Sequence, residues 1–179
     1  MVPTGINTIS NKKSRGFRKL PILAGTLLFY FSFFSVIPFG ILSSLGTYSF
    51  SDIGLEILNV DNIKIYIWGA LEDSNLIIDY SIINLNAILS LLPWLGTIIS
   101  AIFSFISSSY NENPKILKKL LKLSSLLLIL ILFYYITLYF YWKYTPNTTI
   151  TFGIGIIFII IPLILQIFGT IRITDYRES

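Results

Sequence analysis

Apolar positions in this chain fall into four long blocks separated by charged segments. Residues 20–51, 80–111, 123–142 and 144–171 each contain no Asp, Glu, Lys or Arg. An α-helix rises about 1.5 Å per residue, so about 20 apolar residues cross about 30 Å of hydrocarbon. The blocks predict four transmembrane helices, at residues 20–46, 84–109, 123–142 and 151–171. Membrane β-strands would instead show short alternating segments of about ten residues, which argues against a barrel.

Between the first two blocks the pattern changes to a period of two. In "VDNIKIYIWGALEDSN", Ile63, Ile65 and Ile67 alternate with Lys64, Tyr66 and Trp68. Side chains on a strand point to opposite faces in turn, so this reads as a half-buried strand with an isoleucine face. Residues 53–58 and 76–83 alternate in the same way, and Asn and Asp in "NVDN" suit a tight turn. The expected fold class is therefore an all-α bundle of four transmembrane helices carrying a small antiparallel sheet. Three strands form a meander within the 47–83 loop, and a fourth lies at residues 148–152. Such a sheet needs a cover for its apolar face. It acts either as a lid on its own bundle or as a recognition surface presenting Tyr66 and Trp68, the interaction candidates.

Composition agrees with the blocks: 54% of the 179 residues are hydrophobic and 12% charged. Soluble domains average about 45–50% apolar and about 25% charged, so this is an integral membrane protein. The placement of charge adds orientation. Lys12, Lys13, Arg15, Arg18 and Lys19 sit in the 1–19 tail, and Lys115, Lys118, Lys119 and Lys122 in the 110–122 connection. The 47–83 loop carries Asp52, Glu56, Asp61, Glu72, Asp73 and Asp79 against Lys64 alone, and the 143–150 loop has only Lys143. Positive residues favour the cytoplasmic side. Both ends, including the 172–179 tail, are thus expected in the cytoplasm of a cell whose plasma membrane holds the protein, with helix one an uncleaved signal anchor. The basic inner face suits anionic lipid, and nothing indicates a nucleic-acid partner.

Candidate chemistry is sparse. The chain has no Cys and no His, which removes disulfides, thiolate metal sites, haem ligation by imidazole and the usual general base. The spans hold no ionisable residue near their centres, as a proton relay or ion path would require. No catalytic residue, metal site, cofactor or small-molecule substrate is predicted.

Packing signals are clearer. Gly96, Ser100, Ser104 and Ser108 recur every fourth residue on helix two, a spacing that lets two backbones approach closely, within one chain or between subunits. Gln166 should hydrogen-bond a neighbouring helix. Pro38, Pro93 and Pro162 fall inside predicted spans and should kink or break them. "NPKILKKLLKL" has Asn113 as a cap and Pro114 at the first helical position. Its lysines and leucines divide into two faces, so it should lie among headgroups before turning into helix three. Residues 133–144, "FYYITLYFYWKY", form an aromatic belt for the outer interface. Asn147, Thr148 and Thr149 form a glycosylation sequon on the external side.

Four helices, cytoplasmic ends, a sheet in a long first external loop and a short second loop resemble, in topology, the claudin-type tetraspan proteins. Those proteins carry a Trp, then Gly-Leu-Trp, then two cysteines in the first loop. This chain has "IWGAL" at residues 67–71 and no cysteine, so no residue role is transferred. Two functions fit this reading. One is a non-enzymatic tetraspan whose external sheet mediates assembly, adhesion or envelope organisation. The other is an accessory subunit of a larger respiratory, transport or secretion complex. The partners expected are membrane lipids and other membrane subunits or further copies of the chain.

Overall fold

A computed structural model of the chain describes residues 6–34, 55–72, 75–76, 85–109 and 114–178. Helix α1 spans Ile6–Phe34, α2 Leu85–Ser109, α3 Pro114–Lys143 and α4 Ile157–Glu178. Strands β1 (Leu58–Val60), β2 (Ile63–Tyr66), β3 (Gly69–Glu72) and β4 (Asn75–Leu76) lie between α1 and α2. Strand β5 (Ile150–Phe152) and a 3₁₀ turn at Ile154–Ile156 lie between α3 and α4. Helix α1 packs on α2 and α4, and α3 packs on the same two helices, so the four surround a common axis.

The bundle is inverted relative to a soluble protein. Its buried positions include Ser32, Thr97, Ser100, Ser104, Ser107, Ser124, Ser125 and Gln166, while Leu92, Leu95, Ile99, Ile102 and Ile106 of α2 are exposed. Helices α3 and α4 likewise expose Leu126, Leu130, Ile160, Ile164 and Ile167. Water would penalise such a surface, whereas lipid matches it and leaves the polar groups to pair inside. Three helical stretches, Leu91–Ser108, Lys115–Lys143 and Ile154–Arg172, are long and apolar enough to cross a membrane. The apolar part of α1, Lys19–Phe33, is shorter. The rest of the first predicted span, Pro38 included, lies outside the described residues.

The sheet is larger than expected, with five antiparallel strands in the order β4-β3-β2-β1-β5. Its turns are also tighter. Val60 pairs with Ile63, leaving Asp61 and Asn62 as a two-residue turn, and Tyr66 pairs with Gly69, leaving Ile67 and Trp68 as another. Alternation alone had extended β2 through Trp68, but Gly69 allows the reversal two residues sooner. The first strand begins at Leu58, and β3 and β4 occupy the 69–76 stretch expected as a turn; the predicted third strand beyond residue 76, like residues 53–54, lies outside the described residues. Strand β5 falls within the expected 148–152 segment and pairs with β1, Leu58 opposite Phe152.

Directly opposed residues share a face. Leu58, Val60, Ile63, Ile65, Ile150 and Phe152 therefore form one apolar face, and Asn59, Lys64 and Thr151 lie on the other. Leu58 and Ile57 join Leu28, Phe31, Leu128, Ile131, Tyr135 and Ile159 in one core, so the sheet rests directly on the helix ends.

Two further expectations are corrected. Residues 115–122 continue into the membrane segment as part of the single 30-residue helix α3, since Leu117 and Leu121 are buried in their own small cluster and hold this turn against the bundle. Residues 6–19, expected as tail, belong to α1.

Candidate functional site

Two features gather polar groups: a seam within the bundle and the junction where the sheet meets it. The seam joins α2, α3 and α4. Ser100 and Ser124 lie with their Oγ atoms 2.6 Å apart, and the Ser124 hydroxyl is also 2.9 Å from the Ser100 carbonyl. Gln166 Nε2 donates to Ser104 Oγ at 2.8 Å and to Ser100 Oγ at 3.3 Å. Its Oε1 accepts from Ser125 Oγ at 3.3 Å. Both ends of the amide are thereby engaged, as a buried amide in lipid requires.

The predicted stripe on α2 divides along its length. Ser100 and Ser104 form this seam, whereas Ser108 Oγ bonds within its own helix to the Phe105 carbonyl at 2.6 Å. Gly96 faces α3: a Cβ there would lie 2.9 Å from Ile131 Cδ1. Toward α1, Thr97 and Ser32 hydroxyls meet at 2.8 Å, and Trp94 Nε1 donates to the Ser32 carbonyl at 2.9 Å. Gly25 of α1 sits against Phe105 and the Ala101 carbonyl, so close approach also serves this pair. Sequence reading missed Ser124 and Ser125, although two adjacent serines inside an unbroken leucine run were a signal for them.

Where the sheet meets the bundle, contact is made by backbone. Gly153 N–H donates to the Ile57 carbonyl at 2.9 Å and Gly155 N–H to the Glu56 carbonyl at 2.8 Å. A Cβ at Gly153 would meet Glu56 O at 2.2 Å, and one at Gly155 would meet Leu55 O at 2.4 Å. Only glycine permits such proximity. From the helix side, Tyr135 Oη donates to the Tyr66 carbonyl at 3.3 Å. A polar clip lies at the far end of the same strands: Thr149 N–H and Oγ1–H both donate to Asp61 Oδ1, at 2.9 and 2.8 Å. Asp61 adopts φ 51°, which a short polar side chain tolerates.

The outward orientation expected of Tyr66 and Trp68 is corrected here. Tyr66 is only 6% exposed and stacks on Trp68 with ring centroids 5.6 Å apart, while Trp68 packs on the core. Tyr66 closes β2 on the face that carries Lys64, and it is buried there against the Trp68 ring. Burial pushes the Tyr66 phenol above its ordinary pKa, and the nearby Glu56 carboxylate adds to this. Asp61 moves the other way, lowered chiefly by the Thr149 backbone N–H and then by its hydroxyl. Glu56 Oε1 accepts from Asn59 Nδ2 at 3.4 Å, and Glu56 Oε2 and Asn59 Oδ1 are buried with no hydrogen-bond partner.

Of the remaining candidates, Lys115, Lys119 and Lys122 are exposed at the start of α3 with Lys118 half-buried, and Asn147 is exposed in a turn at φ 61°. Among the described residues no three His, Cys, Asp or Glu side chains group as metal ligands would. The seam and the junction offer hydrogen bonding and close packing, which fix geometry. No family model, no curated protein and no solved structure matches the chain.

Proposed function

We propose that this chain is a non-enzymatic four-span protein of the cell membrane, with both ends in the cytoplasm and an external sheet through which it assembles with further copies. The observation that carries the reading is the pairing of Gln166 with Ser100, Ser104 and Ser125. The strongest polar group of the spans is used in locking helices together, as suits a static platform for the sheet. The glycine junction then fixes the sheet on that platform, with Asn59, Lys64 and Thr151 on the face turned from the apolar one. The charge asymmetry between loops supports the orientation.

An accessory role in a larger complex is the second reading, supported by the same lack of chemistry in the spans. Purification from the native membrane in mild detergent separates them. A self-assembled oligomer supports the first reading, and a stoichiometric set of larger redox or transport subunits supports the second.

A further inference from the structure

We infer that the β5 edge of the sheet lies in the headgroup layer of the outer leaflet, so that lipid covers this edge and assembly is left to the rest of the sheet. The inference rests on the external placement of the sheet proposed above. Its first support is length. The stretch Ile154–Arg172 has 19 residues, about 28 Å as a helix, which barely matches about 30 Å of hydrocarbon. The whole stretch is needed to cross, which puts Ile154 at the outer boundary. Phe152, the last residue of β5, is then only two residues above it.

The second support is continuity. The lipid-facing residues of α4 begin at Ile157 and extend upward through Ile154, 59% exposed, to Phe152, 46% exposed. Phe152 stacks on Tyr139 of α3 at 4.4 Å between centroids, and Lys143 Nζ lies 5.7 Å from the same Tyr139 ring. One turn of chain beyond, Tyr144 is 81% exposed. Aromatic rings and a lysine at this level suit the boundary between acyl chains and phosphates. The Gly153 and Gly155 bonds to Ile57 and Glu56 prevent this edge from lifting away. As β5 ends the strand order, lipid here would also block edge-to-edge pairing on that side.

The cysteine-free chain allows a direct test with spin labels at Ile154→Cys, Tyr144→Cys and, at the tip of the first hairpin, Asn62→Cys, in phosphatidylcholine nanodiscs. All three side chains are exposed, so labelling leaves packing intact. Oxygen partitions into lipid and a nickel chelate stays in water. The oxygen-to-nickel collision ratio should be severalfold higher at Ile154 and Tyr144 than at Asn62. Equal ratios at the three sites would overturn the inference, as would exclusion of both reagents from Ile154 and Tyr144, the sign of a protein cover. An impermeant thiol reagent applied to Asn62→Cys in sealed cells separately tests the outward placement: labelling supports it, and protection until lysis would refute the orientation while leaving the collision data to judge the lipid contact.

Discussion

Gln166 on α4 and Ser104 on α2 meet at 2.8 Å, the amide Nε2 donating to the hydroxyl. This bond and its neighbours at Ser100 and Ser125 tie three helices together far from the water interface. Replacing Gln166 by Leu keeps a side chain of similar reach but removes its bonds to Ser100, Ser104 and Ser125. Interhelical hydrogen bonds in membranes contribute about 0.6–1.7 kcal/mol each, so Gln166→Leu should cost about 1–3 kcal/mol. Thermal unfolding in detergent would read the loss, and an unchanged melting temperature would show that the amide is dispensable.

Ser100 tests close packing rather than bonding. It is fully buried, with its Oγ 2.6 Å from Ser124 Oγ. Ser100→Leu must push α2 and α3 apart and should cost about 1–3 kcal/mol by overpacking. Ser100→Ala keeps the spacing, so its cost should be smaller. Equal losses in the two variants would assign the effect to the hydroxyl alone.

Glu56 and Asn59 make one weak bond and leave Glu56 Oε2 and Asn59 Oδ1 without donors. A glutamine at position 56 has a donor to offer Asn59 Oδ1 while its carbonyl still accepts from Nδ2. Glu56→Gln should therefore stabilise the chain, by about 1 kcal/mol for the added bond. A lower melting temperature would mean that the carboxylate has a role which the amide cannot fill.

The bundle was more legible than the sheet because the two rest on different signals. Three of the four long uncharged runs correspond to helices long and apolar enough to cross a membrane, and the period-four serines reported the helix contact at Ser100 and Ser104. Alternation reports faces and says little about where a hairpin turns. Ile67 and Trp68 continue the alternating pattern yet form the turn, since Gly69 and the core position of Ile67 outweigh it. Gly153 and Gly155 looked like ordinary glycines of a membrane helix. Their role depends on Leu55 and Glu56, about a hundred residues away in sequence, and no local pattern carries that.

The Asp61 clip gives the junction a pH dependence whose sign follows from the lowered pKa. A group held below its unfolded value of 3.8 stabilises the fold above that value, and the contribution disappears as pH falls through the folded pKa. Protection of the Thr149 amide from hydrogen exchange should thus be constant from neutral pH to about pH 5 and decline below it. Asp61→Asn keeps a side chain suited to positive φ and should remove that decline. The same acid-induced loss in the variant would place its cause elsewhere.

The central claim is that the outward sheet, fixed on a static bundle, is the surface through which copies assemble. The most direct measurement is the mass of the protein in lipid nanodiscs, for the wild type and for a chain carrying Asn62→Arg. Asn62 is exposed at the tip of the first hairpin, away from the β5 edge, so the substitution places charge on the sheet without disturbing the core. The account predicts a wild-type particle holding several chains of 20.4 kDa and a variant that falls to single chains with its melting temperature unchanged. A wild-type particle containing one chain, or a variant that keeps the full assembly, would contradict it.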